Sequence, residues 1–207
     1  MHVGYAPLFQ NPGNVLSDAD VYIHELRLAE RAEPLGFDSL WSVEHHFTDY
    51  TMCPDVLQFL SYMAGKTRHV KLGSMVVVVP WHDPVRVTEQ VLLLDHLSNG
   101  RLILGIGRGL ARVEYEGFRL EQHQGRARFL EYAALILQGL EQGYIEGGET
   151  LHQPRRALRP FPRQSFRGRT YAAAVSPESM PIMAQLGVGL LIIPQKPWHD
   201  VQHDLTH

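Results

Sequence analysis

Glu44, His45 and His46 set a carboxylate beside two imidazoles, followed directly by Phe47 and Thr48. Imidazoles titrating near neutrality, with a carboxylate able to orient one of them, are equipment for moving protons. Neighbouring side chains diverge, so one histidine can meet a ligand while the other packs or pairs. The same divergence argues against a metal on the pair, because no cysteine or carboxylate cluster completes a shell. The plainer reading is a half-buried, hydrogen-bonded histidine pair, and placement must decide between the two. A second group is Gly105-Ile106-Gly107-Arg108-Gly109. Glycines within a strand let something flat or bulky approach the backbone, and an arginine just beyond them suits a phosphate. A tight turn with a solvated arginine explains the same residues, and the spacing is not the G-x-G-x-x-G of a dinucleotide loop. A third group is Ser176-Pro177-Glu178-Ser179. Serines at N-cap and N3 with proline at N1 either cap a helix or aim free amides and hydroxyls at an anion. Pro181 disturbs that helix's first turn. Cys53 could be a nucleophile, although free cysteines are more often small core hydrophobes.

The elements that position these groups alternate. Val3 to Ala6, Leu40 to Val43, Val70 to Val79, Leu102 to Ile106, Tyr171 to Val175 and Gly189 to Ile193 read as strands. Helices are expected from Ser17–Asp18 to Gly36, from Pro54 to about Ala64, from Pro84 to Leu97, from Arg126 to Gln142 and from Pro177 to Leu186. Pro34 should loosen the first of them. The third strand is apolar on both faces, as a parallel strand covered by helices requires. The alternation argues for a parallel sheet, as a barrel or an open doubly wound sheet. The histidine pair and Arg108 then fall at strand carboxyl ends, the edge where such proteins gather ligands.

Bulk properties exclude several classes. The 207 residues suit one domain spanning 1–207, and 44% hydrophobic with 20% charged residues is ordinary globular usage. A net charge of −3 and a pI near 6.4 call for neither nucleic acid nor an anionic membrane. The single cysteine excludes an intrachain disulfide. No run reaches the about 18 apolar residues of a membrane span, and the N-terminus lacks signal-peptide character, so a cytoplasmic, soluble protein is expected. The arginines from Arg155 to Arg169, interleaved with Phe161 and Phe166, read as an irregular solvated loop rather than a nucleic-acid surface. His199, His203 and His207 recur every four residues and read as solvated rather than metal-binding.

Taken in order, Gly36-Phe37-Asp38 with Trp41, Glu44-His45-His46-Phe47-Thr48, Pro84-Val85-Arg86, Leu94-Asp95 with Ser98-Asn99-Gly100-Arg101, Gly105 to Gly109, and Ser176 to Ser179 resemble the bacterial luciferase-like, flavin-dependent monooxygenases. The resemblance runs from Val3 to about Pro194. It implies an α/β fold, a TIM-type (β/α)8 barrel binding reduced flavin mononucleotide (FMN) at the strand carboxyl ends. About six of the eight β/α units are present, so the barrel is expected to be incomplete and shortened at its C-terminus.

The resemblance further implies His45 as the active-site histidine, with Glu44 and His46 supporting it. It puts Arg108, Ser176 and Ser179 at the flavin phosphate, and Ser74, Met75, Val76 and Gly107 along the isoalloxazine, with a non-proline cis peptide at Met75–Val76. Gly107 and Val175 depart from relatives that carry a cysteine and a carboxylate there. The implied reaction is oxidation of a small, aldehyde-like organic substrate by O2 through a flavin hydroperoxide, with a flavin reductase supplying reduced FMN and a homodimer as the assembly. Alternatives are a non-catalytic flavin-binding protein or inactive barrel fragment, a deazaflavin (F420)-dependent oxidoreductase, and an unrelated barrel enzyme acting on a phosphorylated substrate.

Overall fold

Each early helix begins where a short polar side chain can take a free backbone amide. Ser17 accepts from the Asp20 amide, Asp55 from Gln58 and Asp83 from Arg86, with Pro84 following at the first helical position. In the computed structural model, which describes residues 1–174, 179–193 and 197–205, these caps start α1 (Asp18–Glu30), α2 (Val56–Lys66) and α3 (Pro84–Leu97). The strands are β1 (Gly4–Tyr5), β2 (Ser39–Ser42), β3 (Lys71–Ser74), β4 (Val77–Val78), β5 (Leu102–Gly107), β6 (Tyr144–Gly147), β7 (Gln153–Ala157), β8 (Thr170–Ala173) and β9 (Gly189–Leu191). Further helices are α4 (Arg112–Gly117), α5 (Gly125–Gln142), α6 (Ser179–Gln185) and α7 (Trp198–Leu205).

The sheet runs β1-β2-β3-β5-β8-β9, every pairing parallel, with β4 carrying the path of β3 onward against β5. This is a parallel half-barrel of six strands. Alternate residues bury Leu40, Leu72, Leu104, Ile106 and Ala172 in one core with Leu60, Met63, Val91, Leu94, Ile136 and Leu140 of the helices. Residues of the opposite parity pack among themselves. The Trp41 indole lies so close to Gly4 and Gly73 that a Cβ on either would stand 2.7 or 2.3 Å from its ring, and Tyr171 covers Gly189 in the same way.

The third strand is not continuous, contrary to expectation. Gly73 pairs with Ile103 and Val77 with Ile106, so one side carries an extra residue, a bulge. The Ser74 hydroxyl fills the gap in the ladder, donating to the Gly105 carbonyl and accepting from the Gly105 amide, each at 2.9 Å. The Met75–Val76 peptide inside the bulge is cis.

Other expectations also change. The first helix stops at Glu30, and turns carry the chain past Pro34 to Gly36, consistent with the loosening expected of that proline. The arginine-rich stretch opens with a strand, β7, antiparallel to β6, and α4 follows β5 where no element was expected.

At the amino ends of the strands the connections are tied by buried or clamped charges. Arg101 donates to the carbonyls of Ala64, Thr67, Val70 and Ser98 and to the Thr67 hydroxyl. Arg169 grips Asp95 with both terminal nitrogens, at 2.5 and 3.0 Å. Glu33 accepts the amides of Arg68, His69 and Val70. No helix among the described residues is long and apolar enough to cross a membrane.

Candidate active site

β2 delivers Glu44 just past its carboxyl end, where the residue is 2% exposed. A buried carboxylate needs every lone pair answered. Glu44 Oε1 meets His46 Nε2 at 3.1 Å and His82 Nε2 at 2.7 Å, while Oε2 accepts the Val78 amide at 3.0 Å. Burial pushes the Glu44 carboxyl up, but these hydrogen bonds and the charge of His82 outweigh it and hold Glu44 below the usual glutamate value. Burial likewise depresses His82, yet its bond to Glu44 and the charges of Glu44 and Asp55 leave it above the usual histidine value.

A second carboxylate holds His45 by a hydrogen bond. Glu114, on α4 and also 2% exposed, meets His45 Nδ1 at 2.9 Å and accepts the His46 amide at 3.0 Å through the same oxygen. An ionised carboxylate only accepts, so it fixes the proton of a neutral His45 on Nδ1 and leaves Nε2 with its lone pair. No described residue hydrogen-bonds that nitrogen.

Aromatic rings close one flank. Phe118 stands edge-on to His46 at 4.7 Å, Trp81 stacks on Phe118 at 5.3 Å, and Tyr115 meets Trp81 edge-on at 4.5 Å. Phe47 and Tyr50 are exposed beside the histidines. The Tyr115 hydroxyl donates to the Arg108 carbonyl at 3.1 Å. The half-buried Arg108 guanidinium engages no described carboxylate.

Among the expected residues, Glu44 and His46 are bonded directly, and His45 shares Glu114 with the His46 amide. Gly107 lies against Val76, where a Cβ would come within 2.3 Å of the valine methyl, and Met75 and Val76 are half-buried. Ser74 is fully buried with its hydroxyl spent on Gly105, so it shapes the strand rather than offering a ligand group. Ser179 begins α6, and Ser176 lies outside the described residues. Cys53 is buried against Ser42, and burial pushes its thiol up to about 11, which removes it as a nucleophile near neutrality. No group of three or more His, Cys, Asp or Glu among the described residues is arranged to hold a metal.

His82 and Glu114 were not singled out from the sequence. They stand 38 and 69 residues from their partners, and nothing local marks either. The one available signal was parity, since a buried Glu44 must find donors in neighbouring strand ends. A groove of about 1040 Å3 along α5, lined by Arg128, Glu131, Gln138 and Thr150 among others, shares no residue with this site.

The luciferase-like monooxygenase family model matches residues 1–207. The chain belongs to the luciferase-like monooxygenase family. It is 30% identical over 178 residues to the alkanal monooxygenase alpha chain of Photorhabdus luminescens, covering 85% of this chain and 49% of that protein. It is 29% identical to the oxygenase component of the flavin-dependent trigonelline monooxygenase of Acinetobacter baylyi, covering 84% and 49%. This luciferase-like chain therefore spans about half the length of those curated relatives. Among solved structures, monooxygenase RslO1 of Streptomyces bottropensis superposes with TM-score 0.85 at 28% identity, over 100% of this chain and 64% of that one. The oxygenating constituent of 3,6-diketocamphane monooxygenase of Pseudomonas putida, in complex with FMN, shares the fold at TM-score 0.77 and 16% identity, covering 93% and 57%.

Proposed function

We propose that this chain holds reduced FMN at the carboxyl edge of its sheet and manages protons while O2 oxidises a small, aldehyde-like organic substrate. The reading is carried by two buried carboxylates, Glu44 and Glu114, which fix His45, His46 and His82 at that edge in a luciferase-like chain. Because the matched relatives are about twice as long, activity, substrate and partners are carried over as part of the proposal.

The residues present fit the flavin. Arg108 offers a guanidinium unclaimed by any described carboxylate, suited to the phosphate, and Ser179 and Ser176 would add hydroxyls there. Met75, Val76 and Gly107 would lie along the ring system, and Ser74 would hold the bulge that presents them. The bound flavin would supply the electron transfer to O2. The protein's part is different. Glu114 keeps His45 in the tautomer whose Nε2 can accept a proton, and Phe118 and Trp81 exclude water from the flank beside His46. A flavin reductase is the supplier of reduced FMN, and a homodimer is the expected assembly.

The test is anaerobic titration of the purified chain with reduced FMN, and in parallel with reduced F420, followed by a pulse of oxygen. Tight FMN binding with oxygenation of an added aldehyde supports the reading. Binding that yields only hydrogen peroxide points to a flavin holder, and preference for F420 moves the chain to the deazaflavin oxidoreductases. In the same assay His45→Ala should keep its flavin and lose oxygenation by about 10²-fold or more. Loss of flavin from a folded His45→Ala protein would remove the catalytic assignment.

A further inference from the structure

Glu44 reaches out of the mouth toward the helical layer. A recess of about 10 Å3 beside it is lined by His82, Asp55 at the start of α2, and Val87 and Gln90 of α3. His46 approaches the same carboxylate oxygen from the aromatic flank. Both imidazoles use Nε2, and an ionised carboxylate cannot donate, so both must carry hydrogen on Nε2. Each is left with Nδ1 as the nitrogen that gains or loses a proton. A single buried negative charge can neutralise one imidazolium but not two.

We propose that Glu44 holds one positive charge shared between His46 at the site and His82 at the helical layer, so that a proton taken up by one is given up by the other. In this exchange a proton released in the site bonds to His46 Nδ1 while a different proton leaves His82 Nδ1 for solvent water. Both Nε2–H bonds to Glu44 persist, and the trio stays neutral throughout. The step needs no oxidant or further reactant. His82 is thus a positioning residue, acting on the site through Glu44, and its side chain, 30% exposed against 11% for His46, gives protons released there an exit to solvent. The other ionisable groups nearest the trio are His45 between Glu44 and His46, Cys53 and Asp55 before α2, Asp83 at the start of α3, Glu114 on α4, and Arg128 on α5, whose Nε donates to the Pro80 carbonyl. None of them hydrogen-bonds the His82 ring.

The proposal rests on the flavin reading only for the use made of the proton; the charge sharing is testable without cofactor. Imidazole nitrogen shifts of the 15N-labelled chain are followed by NMR across the histidine range. In the wild type both His46 and His82 should report two steps, separated by about one pH unit or more. His46→Gln, which still donates to Glu44, should collapse the His82 curve to one step. Glu44→Gln should move His82 to lower pH by a unit or more. If Glu44→Gln does not fold, His82→Gln completes the test by leaving His46 with a single step. A one-step His82 curve in the wild type, unchanged by His46→Gln, overturns the proposal.

Discussion

At the scale of single residues, the site is organised by two acids that never need to touch a substrate. Glu44 and His82 impose a pH signature on stability, and its sign follows from their shifts. Glu44 is held below its ordinary value of 4.5, so its contribution is complete above pH 4.5 and is lost as pH falls through the lower folded value. His82 is held above 6.5, so its contribution is complete below pH 6.5 and is lost as pH rises through the higher folded value. Both are therefore present together between pH 4.5 and 6.5. Urea midpoints measured across pH should show the wild type's advantage over Glu44→Gln greatest in that window and shrinking on both sides. An advantage that stays flat from pH 5 to 9 would mean that His82 carries no charge in the fold. The Glu44-His45-His46 cluster was legible from the sequence because its members are contiguous. His82 and Glu114 were not, because their roles exist only once β4 and α4 arrive beside β2.

Among the elements, the junction of β3 and β4 matters most. Ser74 replaces the backbone partner that the bulge takes from Gly105. Ser74→Ala strands both the amide and the carbonyl of Gly105 in the core, and about 1–3 kcal/mol for each unsatisfied group is expected. Gly105→Ala is worse placed, since its Cβ would stand 2.0 Å from the Ser74 carbonyl oxygen. Chemical denaturation should rank wild type above Ser74→Ala, and Ser74→Ala above Gly105→Ala; equal stability of all three would remove the bulge from the account. This junction also shows where sequence reading reaches its limit. Val70 to Val79 reads as one apolar strand because periodicity registers burial, and no residue of the bulge is exposed enough to interrupt it. Strand β7 was hidden for the opposite reason. Four of its five residues are exposed, so it pairs with β6 without the apolar alternation that announces a strand. The helices α2 and α3, with polar caps and apolar faces, and α5, with its apolar face alone, were found within a few residues of their ends.

For the molecule as a whole, order should fall off across the sheet. β2, β3 and β5 have strand neighbours on both sides and bury Leu40, Leu72 and Leu104 completely, whereas β9 is three half-buried residues paired with β8 alone among the described strands. Hydrogen exchange should accordingly be slowest at Leu72 and Leu104 and fastest among sheet amides at Leu190 and Leu191. Protection of β9 equal to that of β5 would show that something further covers that edge. The inner surface of the half-barrel carries one more consequence, an optical one. Trp41 is pressed flat between two glycine backbones, with its Nε1–H bonded to the Ser39 hydroxyl at 2.7 Å. It is a rigid, half-buried fluorophore under the strand ends, and its emission overlaps the absorption of oxidised flavins. Occupancy of the mouth should therefore dim Trp41 by energy transfer, giving a light-based reading of binding without any added label.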